Sequence, residues 1–338
     1  MVYGAIDLHM RFSQIRIIDT DGKVLKDQRI ETSRERFVAA FAGRGAMRIL
    51  VETGTESEWV AQTLEAAGHE VVVADPNYAP MYGETSRRIK TDRRDVAALA
   101  EANRRGWYRA AHRTSATQRE TKQVLRARRL LVQQRSGVIS LVRSLLRQSG
   151  YRLPTGAAER VPARVAKLAI TGTLAQTLPP LCDQIVALST AITTFDQQLQ
   201  QRTATDAIVA RLRSVPGIGV IVATTFRAFV DRHERFGHAG QVSAAIGLVP
   251  REDSSAERRQ RGHITKAGPR ELRSLLIQAA WVCWRHGGSG TLKAWADAIA
   301  ERRGRRIAVV ALARRLSRIL FALWRDDTTF DLKKVAMA

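Results

Sequence analysis

A chain of 338 residues is too long for one small domain and, at 45% hydrophobic, can bury two or three cores. Its 55 Lys and Arg against 32 Asp and Glu leave a formal net charge of +23, which points to polyphosphate partners. No apolar run approaches a membrane span, MVYGAIDLHM lacks a signal-peptide pattern, and Cys182 and Cys283 exclude a CxxC zinc site and a disulfide framework, so a cytoplasmic, nucleoid-associated protein with no membrane partner is expected.

The first segment alternates strand and helix patterns. Tyr3 to Leu8 reads as a strand, and Ser13 to Asp19 as a second strand that turns through Asp21-Gly22 into Lys23 to Ile30. A helix is expected over Ser33 to Ala42, a strand over Met47 to Glu52, a helix over Glu58 to Ala67 and a strand over Glu70 to Ala74. This mixture predicts an α/β domain over residues 1–113, with helices covering a sheet.

From Gln118 the pattern turns helical. Val124, Leu131, Val138 and Leu145 repeat every seven residues, with Ala127 and Leu141 three further on. Leu181, Ile185, Leu188, Ile192, Phe195 and Leu199 alternate steps of four and three. Both read as coiled-coil seams, and the Gly- and Pro-containing stretch Ser149 to Pro162 as the turn between them. Residues 114–204 therefore predict an antiparallel helical hairpin, packed on itself or serving as a dimer arm. Residues 205–338 predict a mainly helical domain. In it, Ser214-Val215-Pro216-Gly217-Ile218-Gly219 reads equally as a helix-hairpin-helix turn that holds phosphate or as a plain turn. Arg251 to Lys266 reads as a basic loop rich in Ser and Gly, and Arg306 to Trp324 as a last amphipathic helix.

Four carboxylates carry the chemistry. Asp7 sits inside the apolar strand Ala5-Ile6-Asp7-Leu8, where an idle carboxylate costs several kcal/mol. Glu52 closes the strand Ile49-Leu50-Val51-Glu52, and parallel strands present their carboxyl ends to one edge. Asp92 and Asp95 are three apart at a helix start and share a face. Singly, Asp92 suits the helix dipole and Glu52 suits a strand end. Together, the order strand Asp, strand Glu, helix Asp-x-x-Asp points to a cluster neutralised by Mg²⁺ or Mn²⁺, suited to phosphodiester exchange. Arg87, Arg88, Lys90, Arg93 and Arg94 form a basic run beside it and are candidate nucleic-acid contacts.

With these residues in hand, the chain resembles the DEDD-type transposases of insertion-sequence family one-ten, relatives of the Piv-type DNA invertases. The likeness rests on AIDLH, VETGT, VVVADP and KTDRRDVAALA, then on SVPGIG, AAIGLVPREDSS and RGHITKAGPRELRSLLIQAA. The resemblance implies a RuvC-like, RNase H fold for the first domain, with Asp7, Glu52, Asp92 and Asp95 as its four metal-binding acids. It implies a C-terminal transposase domain with a catalytic serine in Asp253-Ser254-Ser255-Ala256. The distance to Ile264 favours Ser255, with Ser254 the alternative. It also implies guidance by a bridge RNA that pairs with donor and target DNA, and assembly as a dimer or tetramer that joins acids and serine from different subunits. Arg251, Arg258, Arg259 and Arg261 surround the serine and can pair phosphate oxygens. Two rival readings remain. One is a junction-resolving nuclease that uses water. The other is a non-enzymatic nucleic-acid scaffold whose acids pair with Lys90, Arg93 or Arg94.

Overall fold

Apolar residues on alternate sides of short strands let one sheet bury two faces, and the first unit is built this way. The computed structural model describes residues 2–82, 91–255, 258–286 and 290–331. It divides into two compact units, Met1–Arg113 and Thr114–Ala338. In the first, β1 (Tyr3–Asp7), β2 (Phe12–Ile18) and β3 (Val24–Glu31) form an antiparallel meander. After α1 (Arg34–Phe41), β4 (Arg48–Glu52) pairs parallel with β1. After α2 (Ser57–Ala66), β5 (Glu70–Ala74) pairs parallel with β4. The sheet order is β3-β2-β1-β4-β5.

Ile6, Ile15, Ile17, Ile49 and Val51 point to one face and pack with Phe37 and Phe41 of α1 and Leu64 of α2. Ala5, Ile18, Leu50 and Ala74 point to the other and pack with Val96 and Leu99 of α3 (Asp92–Arg105). Asp7, two residues after Ala5, continues the face that α3 covers. The edge of β5 is closed by residues 109–111, whose backbone bonds to Val73 and Asp75.

The direction of α3 is set by one buried side chain. Asn103, fully buried, donates through Nδ2 to the carbonyls of Gly4 (2.8 Å) and Arg48 (2.9 Å), at the starts of β1 and β4. The helix therefore runs against the strands, and its N-terminus comes to their carboxyl ends. Thr91 caps that N-terminus, its hydroxyl accepting from the Arg94 amide.

In the second unit, α4 (Ala116–Gln148), α5 (Val161–Val165) and α6 (Thr173–Thr203) form a helical hairpin. The pairs Glu120–Arg202, Arg128–Asp196 and Arg135–Ser189 show that α4 and α6 are antiparallel. In α6 the expected seam is largely the buried one, at Ile185, Leu188, Ile192 and Leu199. In α4 the expectation is corrected. The buried residues are Gln118, Thr121, Leu125, Val142 and Leu146, beside the heptad positions Val124, Leu131, Val138 and Leu145, and Leu141 is exposed. The helix serves more neighbours than a two-helix seam. Leu125 packs with Leu199 and Ala228, while Val142 and Leu146 pack with both α5 and α6.

α7 (Ala207–Leu212), α8 (Val220–Val230) and α9 (Ala239–Ile246) follow. Arg251 to Lys266 is no loop but largely a hairpin of β6 (Pro250–Ser255) and β7 (Arg258–Ile264). Its polar side chains lack the β-branched alternation of a half-buried strand, which hides it from a pattern reading. α10 (Arg270–His286), α11 (Thr291–Arg303) and α12 (Arg305–Arg325) complete the unit around Phe226, Leu272, Leu276, Leu312, Leu316 and Phe321. Among the described residues no helix is long and apolar enough to cross a membrane.

Two motif segments make close packing contacts. Gly217, between α7 and α8, has φ +84°, and a Cβ there would lie 2.5 Å from the Ala279 carbonyl oxygen. With Val215 and Ile218 buried beside it, that glycine lets the turn lie against α10. Gly268 has φ +76°, and a Cβ would lie 1.9 Å from the Ala245 carbonyl oxygen. Buried Arg273 donates to the carbonyls of Ile246 (2.8 Å) and Ala267 (3.1 Å), clasping the same two segments at the base of the β6–β7 hairpin. Gly268→Ala is therefore expected to cost on the order of 3 kcal/mol. Gly137→Ala, at a site in α4 where a Cβ meets nothing within 4 Å, is expected to be neutral or stabilising by up to about 1 kcal/mol. Urea unfolding of both variants measures the contrast, and equal midpoints would refute the clasp.

Candidate active site

β1 and β4 run parallel with Ile6 opposite Val51, so Asp7 and Glu52 close adjacent strands at one sheet edge. α3 brings Asp92 and Asp95 to that edge from above, in its first turn. Asp7 is 8% exposed, a depth at which a carboxylate is costly unless cations or hydrogen bonds compensate it. Asp92 is open, its side chain 62% exposed.

Between these two aspartates stands His9, a residue that motif reasoning passed over. Its Nε2 lies 3.4 Å from Asp7 Oδ2 and 3.6 Å from Asp92 Oδ1. Donor atoms of Asp7, His9 and Asp92 all fall within 4.8 Å of one another. Glu52 and Asp95 stand outside that tight group, although each is on an element that borders it. The signal for His9 is in the sequence: two residues past Asp7, it falls on the same side of an extended chain. As an ion pair the His9 contacts would add little, since the ring is half-exposed.

The basic residues near this edge separate. Arg93 lies 3.9 Å from Asp27 of β3, which Arg16 and Gln14 also engage. Gln14 is the cross-strand partner of Asp7. Arg93 is thus anchored to a carboxylate other than the four candidates. Arg94 is exposed on α3. Arg87, Arg88 and Lys90 lie outside the described residues.

The candidate serine is on the second unit. Ser255 pairs in register with Arg258 and Ser254 with Arg259, the last two pairs of the β6–β7 hairpin before residues 256–257. A register shift between Pro250 and Glu252 places Arg251, which is exposed, at an irregularity near the hairpin base. The side chains of Ser254, Ser255, Arg258, Arg259 and Arg261 lie outside the described part of the structure.

Comparison with known proteins adds independent findings. A family described as "Transposase", of the DEDD type of IS110, matches residues 5–150, and "Transposase IS116/IS110/IS902 family" matches residues 209–296. The chain is 30% identical over 333 residues to the transposase for insertion sequence element IS1111A of Coxiella burnetii, covering 96% of this chain and 90% of that protein. It is 25% identical over 336 residues to the transposase for insertion sequence element IS1328 of Yersinia enterocolitica, covering 96% and 97%. The first match spans all of the sheet but the first two residues of β1, together with α3 and the acids, and the second spans the β6–β7 hairpin.

Proposed function

Because the chain belongs to the IS110 family of transposases, enzymes that cleave and rejoin DNA, we propose that it exchanges strands with a divalent metal at the Asp7 edge and the Ser255 hydroxyl as nucleophile. The observation that carries this reading is the convergence of Asp7, His9 and Asp92 donor atoms within 4.8 Å at the carboxyl end of β1. The sheet order β3-β2-β1-β4-β5, with two antiparallel pairings followed by two parallel ones, suits an RNase H-like fold.

The residues present fit a metal. One ion with ligand distances near 2.1 Å spans donors that far apart after small side-chain shifts. Asp7, Asp92 and His9 would hold it, with Glu52 and Asp95 completing the oxygen shell or holding a second ion. Mg²⁺ and Mn²⁺ both suit the carboxylates, and the imidazole moves preference toward Mn²⁺. Such an ion, when bound, offsets charge on the phosphate and its leaving oxygen. The chain's own groups do the rest. Asn103, anchoring the other end of α3, sets the direction that brings Asp92 to the edge, and the arginines of the hairpin would hold a phosphate at Ser255. As Ser255 Oγ bonds to phosphorus, the strand's P–O bond breaks and the hydroxyl proton passes to the leaving oxygen. A hydroxyl of the incoming strand then reverses the step and frees the serine.

The helical hairpin, residues 114–204, would space the catalytic domain from the transposase domain, residues 205–338, or join subunits into a dimer or tetramer. Exposed Leu130, Leu141 and Val186 offer apolar surface for that contact. A structured guide RNA would supply the choice of donor and target DNA, which accords with the net charge of +23. The test is to purify the protein from its host and sequence the nucleic acid that accompanies it. A single structured RNA with segments complementary to both DNA partners is expected. Random RNA fragments would refute guidance and leave a protein-read target. The junction-resolving alternative shares the acids and differs in needing no serine. The scaffold reading falls with family membership.

A further inference from the structure

The second unit holds a cavity of about 1030 Å³, at the upper end of the range for small-molecule sites. Among the described residues, five arginines and a lysine line it: Arg303, Arg306, Arg314, Arg315, Arg318 and Lys266. None of the described lining residues is acidic. Its floor is apolar, with Trp295, Ile307 and Val310.

The arrangement follows from the register of α12. Leu312, Leu316, Leu320 and Phe321 turn one face into the core. On the other side, Arg306, Val310, Arg314 and Arg318 step by four, and Ile307, Ala311 and Arg315 form a second row beside them. The Arg row extends about 18 Å along the helix, room for roughly five stacked nucleotides. Arg315 lies over the Trp295 ring at 4.8 Å. Burial, and then Arg318 beside it, hold the Arg315 guanidinium below the ordinary arginine value. Arginine remains a cation in proteins, and its planar donors can pair a phosphate.

We propose that this groove binds a single-stranded nucleic-acid segment, phosphates on the arginines and bases over the Trp295–Ile307 floor. A charge-only surface needs no apolar floor. A duplex keeps its base faces inside and would leave that floor wet, whereas a single strand brings faces to stack and phosphates to pair. Pro250 and Ile264, which pair at the base of the hairpin that carries Ser255, also line the groove. A strand lying in the groove thus leads to that hairpin. The inference rests on the transposase reading only for the use made of the strand, because binding is measured without catalysis.

The experiment uses the full chain, with anisotropy titrations of oligothymidine and oligouridine of about 12 nucleotides against a duplex of equal length. Single strands should bind tighter than the duplex. Arg306→Ala with Arg318→Ala, both exposed in the folded protein, should flatten the slope of log affinity on log salt by about 1.4, at 0.7 per phosphate. Trp295→Ala should lose about tenfold in affinity. A strand carrying 5-iodouracil should crosslink, on irradiation, to a peptide containing Trp295. The sugar that competes better then says whether a DNA or an RNA strand occupies the groove. Asp7→Asn should bind as wild type does, so a failed cleavage assay leaves this result standing. Equal affinity for duplex and single strand with an unchanged slope in the double variant would overturn the proposal. So would equal displacement of the strand by polyglutamate of matched charge, or crosslinks that map only elsewhere.

Discussion

Asp7→Asn is expected to abolish strand cleavage, by at least about a thousandfold, while the protein stays folded. The substitution keeps the shape of the side chain and removes its charge. Asp7 is 8% exposed on the face that α3 covers. Burying an amide costs less than burying a carboxylate, so the variant should be as stable as wild type or more so. His9 Nε2 and Asp92 Oδ1 stand close enough to share a cation with Asp7. Two measurements check the claim together. Thermal unfolding should show wild-type melting shifted upward by Mn²⁺ and Asp7→Asn melting indifferent to it, since a ligand stabilises only the state that binds it. Cleavage of labelled DNA should be lost in the same variant. Wild-type cleavage by Asp7→Asn in Mg²⁺ would show that the metal site lies elsewhere.

Much of this edge was legible in the sequence because its signals are local. An Asp inside an apolar run, a Glu at the end of the next run and an Asp-x-x-Asp behind a capping Thr each announce themselves within ten residues. The strands were legible for the same reason, and β5 occupies Glu70 to Ala74 as expected. What was hidden depends on distant partners. Asn103 is a polar residue in an amphipathic helix until its two acceptors, the carbonyls of Gly4 and Arg48, are brought beneath it. The β6–β7 hairpin is a string of polar residues until cross-strand pairing makes it a ladder. The α4 stripe was misplaced beside its true position because a heptad assumes one partner helix, and α4 has three, α5, α6 and α8. Arg273 and Gly268 likewise read as motif residues of unknown purpose until the Ala245–Gly247 backbone lies against them.

The second large effect concerns the serine. During strand exchange on a suicide DNA substrate, the protein should become covalently joined to DNA through Ser255, and Ser255→Ala should abolish the adduct. Four acids and a metal suffice for hydrolysis by water, but hydrolysis discards the phosphodiester energy. A transposase that rejoins strands without another energy source benefits from holding that energy in an ester until the new strand arrives. The nucleophile must then sit in a phosphate-binding setting on a fixed support. The proposed support is the β6–β7 hairpin, where Ser255 pairs in register with Arg258 and the hairpin's base is clasped by Arg273 and Gly268. Cys182 and Cys283 are buried, and burial pushes both thiols up, which argues against a sulfur nucleophile. Digestion of the trapped complex should release a phosphoserine peptide spanning Asp253 to Arg258. Ser254→Ala should leave the adduct intact. An adduct that survives Ser255→Ala but vanishes with Ser254→Ala moves the nucleophile one residue back, to the pair with Arg259. Competent strand exchange with no adduct at any time would sink the covalent mechanism and leave a water-driven, resolvase-like reaction in its place.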